Sequence, residues 1–144
     1  MTPVHFLDAN IVIYATGTSP TYQQPCERIL RAVRDGELLA VTSVEVLQEI
    51  MHFSLGRGRV EAGARIVRNL PKMVTDVLPV DSKDILEMVA ILQAVPGLST
   101  RDAVHAAVMK RHNLDRIITA DRHFASIPDI VALDPRDVAA SLGA

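Results

Sequence analysis

The chain has no tryptophan, and aromatic residues make up 3% of its 144 positions. A nucleic-acid ligand would therefore be held through phosphate and shape, not by bases stacked on a platform of rings. Its one cysteine, Cys26, excludes an intrachain disulfide and a multi-thiolate metal site. It fits a reducing compartment and reads as a small buried group with no catalytic role. Also missing are the basic start and small-residue cleavage site of a signal peptide, and any apolar run near the roughly 20 residues that span a bilayer. The expectation is a soluble cytoplasmic protein. Nor is there an excess of one charge: 15 Lys and Arg face 17 Asp and Glu, so a surface for a polyanion must be a local patch.

What is present is ordinary globular composition, 49% hydrophobic and 22% charged. The length suits one domain over 1–144, long enough to bury roughly 70% of the surface exposed by the unfolded chain. Neither a repeat nor a low-complexity tract divides it.

Apolar runs alternate with helical patterns. VHFL (4–7), LLAVT (38–42), DVLPV (76–80), RIITA (116–120) and DIVALD (129–134) read as strands. Most of these runs do not alternate with polar residues, the pattern of a sheet covered on both faces, and Pro79 argues for an edge. Helices are expected over 10–16, 24–34 and 44–56, the last with Val44, Leu47, Ile50 and Met51 inward. Others are expected over about 60–70, after Asp81 or Ser82, after Ser99 or Thr100, and after Pro135. This order implies an α/β fold in three layers, α/β/α, around a parallel sheet of four to five strands. Such sheets bind ligands outside the carboxyl ends of their strands.

Several acids fall at those ends. Asp8 follows the first strand, Glu45 and Glu49 lie on the helix after the second, Asp102 opens the helix before the fourth, and Asp121 follows the fourth. Each has a plain alternative as a turn, cap or solvated helix residue. Together they are more telling, because clustered carboxylates raise one another's pKa unless cations offset the repulsion. An all-oxygen donor set without cysteine favours Mg²⁺ or Mn²⁺ over Zn²⁺. Such a site suits phosphate chemistry, activating water and stabilising the leaving oxygen.

The segments FLDANIVIYA, VTSVEVLQEIMHF and STRDAVHAAVMKRHNLDRIITADRHF resemble, in order and spacing, the successive motifs of PIN-domain ribonucleases. They are most similar to the VapC-like toxins of bacterial toxin–antitoxin pairs. The resemblance implies a PIN-like fold and a quartet of metal-binding acids falling on Asp8, Glu49, Asp102 and Asp121. It implies Mg²⁺ or Mn²⁺ as cofactor, an RNA substrate cut in single strands or loops of tRNA or rRNA, and a small antitoxin whose C-terminal segment blocks the site. Glu45 and Glu49 project from one helical face, and the family spacing from Ser43 favours Glu49. Glu45, Asn10 and Thr119 are then candidates to support the ligands from behind.

Arg57, Arg59, Arg101, Arg116 and Arg122 flank the acidic motifs and could grip phosphates, with Arg57 and Arg59 expected on RNA. His105, three residues after Asp102, invites a ligand reading, but a packing contact is favoured for it and for His52. His112 and His123 are expected at the surface. Apolar helical faces between 24 and 70 exceed what a small sheet needs, which points to a homodimer or to cover by the antitoxin. The competing readings are a metal- or RNA-binding module that never cleaves, and a haloacid-dehalogenase-like phosphatase. The latter needs a second Asp where this chain has Asn10, and a downstream Lys to which no residue of this chain is assigned.

Overall fold

The computed structural model describes residues 2–143. Five strands, β1 (Val4–Leu7), β2 (Leu39–Ser43), β3 (Asp76–Leu78), β4 (Arg116–Ile118) and β5 (Val131–Leu133), form one parallel sheet in the order β3-β2-β1-β4-β5. Its helices are α1 (Ala9–Ala15), α2 (Gln23–Arg34), α3 (Val44–Gly56), α4 (Val60–Met73), α5 (Ser82–Ala94), α6 (Thr100–Arg111) and α7 (Pro135–Ser141). Consecutive residues Phe6 and Leu7 in β1, and Ala40 to Ser43 in β2, are all buried, so both faces of the sheet are covered. Pro79 follows β3, the edge strand, where its missing N–H costs no ladder bond.

The strand order reverses direction between β1 and β4. β2 and β3 build outward from one side of β1, and β4 and β5 from the other. The carboxyl ends of β1 and β4 therefore frame a crevice of the kind that binds ligands in open α/β sheets.

Local capping sets the helices. Asp8, Ser43, Asp81 and Ser99 accept backbone N–H groups at the starts of α1, α3, α5 and α6. At α5 the cap is reciprocal: Asp81 N–H donates to Asp84 at 2.9 Å. Asp84 is itself buried and takes both prongs of the Arg111 guanidinium at 2.8 Å, which ties α5 to α6.

Some sequence expectations are corrected. The strands near 76, 116 and 129 are three residues each: Pro79 follows β3, Ala120 lies in the loop after β4, and Asp134 caps α7, although the Thr119 N–H still donates to the Leu133 carbonyl at 3.0 Å. α4 runs past Pro71 to Met73. On α3 the buried residues are Val46, Ile50 and Ser54, while Val44 is exposed and Leu47 and Met51 are only half-buried. The helix is turned because it meets α4 through small residues. A Cβ on Gly63 would stand 2.5 Å from Ser54, so the two backbones approach more closely than a larger pair would permit. Cys26 is fully buried, as expected, and its thiol is pushed up to about 12, chiefly by desolvation. No helix among the described residues is long and apolar enough to cross a membrane.

Candidate functional site

Asp8 leaves β1 and caps α1 with an extended backbone, so its side chain is held at the mouth of the crevice. Oδ1 accepts the Ala9 N–H at 2.7 Å, and Oδ2 accepts the Thr119 hydroxyl at 2.7 Å and the Asn10 amide at 3.3 Å. The Thr119 oxygen in turn accepts from Asn10 Nδ2 at 3.2 Å and from the Asp121 N–H at 2.9 Å. One hydroxyl thus uses its donor and both lone pairs. The Asn10 carbonyl oxygen takes the Ala120 N–H at 3.3 Å. Asn10 and Thr119 weld the end of β1 to the loop after β4, which fixes Asp8 relative to Asp121.

The other acids arrive from three further elements. Glu49 comes from the second turn of α3, Asp102 from the first turn of α6 and Asp121 from the start of a 3-10 turn over Arg122–Ser126 that the sequence did not reveal. Asp8, Asn10, Glu49, Asp102 and Asp121 line one small cavity of about 290 Å³, with Arg101, Ser99, Gly97 and His123 at its walls. Donor atoms of Asp8, Glu49 and His105 lie within 4.8 Å of one another, and so do those of Asp102, Asp121 and His123. Larger cavities of about 550 and 700 Å³ lie elsewhere, lined mainly by apolar side chains. The titratable groups are concentrated in the small one.

The electrostatics follow from this crowding. Asp8 is raised above its ordinary value by burial, partly opposed by His105 and the Thr119 hydrogen bond. Asp102 is pushed up to about 7 by burial and by the neighbouring Asp121 carboxylate. Burial works against an imidazolium at His105, but the hydrogen bond to Glu49 and the charges of Asp8, Glu49 and Asp102 outweigh it and raise that pKa. Carboxylates held this way are short of positive charge, and the pocket's donors are hard oxygens with imidazole at the margins. That donor set fits a divalent cation, with Asp8, Glu49, Asp102 and Asp121 as the groups that would hold it.

The remaining candidates spread out. Arg101 borders both the acid pocket and a neighbouring hollow formed with Glu45, Gln48, Glu49 and His52. Glu45 faces that hollow and does not line the acid pocket. Arg57 and Arg59 lie on the far side of Asn10, along the groove of about 700 Å³ between α1, α3 and α4, with the Arg57 guanidinium 4.7 Å from the Phe53 ring centroid. Arg122 and Arg116 are exposed outside the pocket. His123, expected at the surface, is exposed but also walls the pocket, with Nδ1 2.9 Å from Asp121. His105 is fully buried against Phe6 and Phe124, as a packing residue should be. It also reaches Glu49 at 2.8 Å, which spacing within one helix does not reveal.

A parallel sheet that gathers carboxylates from four elements at its carboxyl edge defines the class of acid-centred α/β proteins. A PIN-domain profile matches residues 5–130, and the chain belongs to the PIN-domain family. Ribonuclease VapC13 of Mycobacterium tuberculosis is 35% identical over 127 residues, which cover 88% of this chain and 97% of that one. Two solved structures share the fold. DNA-bound VapBC from Salmonella typhimurium has a TM-score of 0.71 at 18% identity, covering 94% of this chain and 99% of that one. Mycobacterium tuberculosis VapC20, a toxin that cleaves the sarcin-ricin loop, has a TM-score of 0.67 at 19% identity, covering 88% and 98%.

Proposed function

We propose that this chain is a metal-dependent endoribonuclease, the toxin of a toxin–antitoxin pair, acting in the cytoplasm. The observation that carries the reading is the convergence of Asp8, Glu49, Asp102 and Asp121 in one pocket of a PIN-family chain. Its relative VapC13 is named a ribonuclease, and the fold neighbours include VapBC pairs.

Mg²⁺ or Mn²⁺ bound by the four acids would supply Lewis acidity toward water and toward the charge developing on the leaving 3′ oxygen. The chain's own part is to hold and aim. Thr119 and Asn10 lock Asp8 against the end of β4, so that ligand is set before RNA arrives. The Asp121 N–H is fixed by the same threonine. Arg101, exposed at the rim, is placed to pair with a phosphate next to the scissile bond. Arg57 and Arg59 extend a cationic path beyond Asn10, and Arg122 is exposed at the start of the turn after Asp121. Sparse aromatics leave substrate choice to backbone and shape, which suits a structured tRNA or rRNA loop.

The α1–α3–α4 groove and the acid pocket share Asn10, so an antitoxin segment lying in that groove would reach the acids. A second copy of the chain or the antitoxin would cover the exposed apolar residues between 24 and 70, among them Phe53, Leu55 and Val60; α5 adds an exposed row, Ile85, Leu86 and Val89, outside that range. Expression of the chain alone in a bacterial host tests the toxin reading. The expected result is growth arrest with RNA cut at one loop, abolished by Asp121→Asn. Unimpaired growth with intact RNA at high expression overturns it.

A further inference from the structure

We infer that His105 is the positioning residue for Glu49: a buried imidazole, packed beside Phe6 and Phe124, whose Nε2 aims the glutamate into the acid pocket. This rests on the metal-dependent reading above and adds a residue to it.

Among the described residues, the acids differ in how they are held. Asp8 accepts three hydrogen bonds, and Asp121 accepts the His123 backbone N–H with the His123 ring Nδ1 2.9 Å away. Glu49 has the longer side chain and keeps 18% of its side-chain surface exposed. Its one hydrogen bond among the described residues is to His105 Nε2, at 2.8 Å. Without that contact, three torsions are free to swing the carboxylate toward Gln48, His52 and open solvent.

The imidazole is suited to aim it because it is enclosed in the core beside two aromatic rings. His105 is 0% exposed on α6, with its ring centroid 5.5 Å from Phe6 of β1 and 6.4 Å from Phe124. Nδ1 finds no partner among the described residues, so the ring's polar contacts all run through Nε2. A buried ring left half-satisfied needs an explanation that packing does not give, since an apolar side chain would fill the space without that cost. Nε2 also stands 3.8 Å from Asp8 Oδ1, which places one N–H between two acids that the pocket brings together.

The same geometry sets His105 apart from the ligands. A carboxylate only accepts, so the Nε2 facing Glu49 carries hydrogen and has no lone pair for a cation. Full burial keeps the ring from substrate. Its action on the reaction passes through Glu49.

The test is Mn²⁺ titration, followed by electron paramagnetic resonance, of the wild type, His105→Met, His105→Gln, Glu49→Gln and the double variant Glu49→Gln/His105→Met. Met fills the space without a donor, whereas Gln keeps an N–H at similar reach. His105→Met should weaken Mn²⁺ binding by roughly 10- to 100-fold, the usual loss when a ligand's outer partner is removed. His105→Gln should hold within a few fold, and His105→Met should cost nothing further once Glu49 is Gln. Electron spin-echo spectra of the Mn²⁺-loaded protein should carry no imidazole nitrogen coupling from His105, so they should be the same in the wild type and His105→Gln. Wild-type affinity in His105→Met, an equal loss with and without Glu49, or coupling that His105→Gln abolishes overturns the inference while leaving the metal site standing. A wild type that binds no Mn²⁺ overturns the metal-dependent reading, and this inference with it.

Discussion

Thr119 donates its hydroxyl to Asp8 Oδ2 at 2.7 Å, a bond between residues 111 apart in sequence that closes the seam between β1 and β4. Both partners are buried, so the bond is shielded from competing water. Thr119→Val keeps the shape but removes the donor to Asp8 and the acceptor for the Asp121 N–H. It should cost about 1–3 kcal/mol of stability through the buried groups left unpaired. Cleavage should fall by roughly 10- to 100-fold, as for other outer partners of ligands. Urea denaturation and single-turnover rates would measure the two effects.

Asp8→Asn separates stability from function. Asn caps a helix about as well as Asp, and burial already disfavours the Asp8 charge, whose pKa is raised. A raised carboxylate makes the metal-free fold less stable above that pKa than below it. The Asn variant removes that buried charge but, whichever way its amide sits, sets an NH2 against donors that the carboxylate accepts, so in EDTA near neutral pH its melting temperature should stay close to that of the wild type while Mn²⁺ binding is lost. Loss of the folded state, or retained Mn²⁺ binding, would contradict this.

Metal should stabilise the wild type, because a ligand that binds the native state alone shifts unfolding by mass action. The pH dependence follows from Asp102, whose pKa stands near 7 against an ordinary 3.8. In the metal-free protein this group adds stability as pH falls through 7 toward 4, because the folded state binds the proton more tightly. Protons then compete with the cation. The rise in melting temperature on adding Mn²⁺ should be larger at pH 8 than at pH 6, with EDTA reversing it at both.

Asp84 and Arg111 form the structural counterpart, a buried carboxylate with its counterion supplied. The Arg111 hydrogen bonds hold the Asp84 pKa below its ordinary value, so the stability this pair contributes is present above about pH 4 and lost as pH falls through the lowered value. Arg111→Ala should destabilise the fold, because it leaves the buried Asp84 carboxylate without its counterion and without both of its guanidinium hydrogen bonds. Urea unfolding at pH 7 measures it, and the deficit should shrink toward pH 3.

The fold was largely legible because unbroken apolar runs mark buried parallel strands, and Ser or Asp caps mark the helices that follow. The acids were legible as a set because strand ends are where such a sheet exposes side chains. The face of α3 was not, because apolar periodicity assumes large residues at the contact, while α3 meets α4 through Ser54 and Gly63. That rotation leaves Val44, Phe53 and Leu55 outward. The contact of His105 with Glu49 joins two helices 56 residues apart, a pairing that no local spacing encodes. Thr119 was recognisable by resemblance, but its three simultaneous hydrogen bonds depend on where β1 ends.

The most direct test of the central claim is cleavage of tRNA and rRNA fragments by the purified chain in Mn²⁺ or Mg²⁺ against EDTA, beside Asp102→Asn, with the product ends identified. The account predicts metal-dependent cuts that leave 5′-phosphate and 3′-hydroxyl ends, absent in EDTA and in the variant. Cuts that persist in EDTA, or products ending in cyclic phosphate, would contradict it.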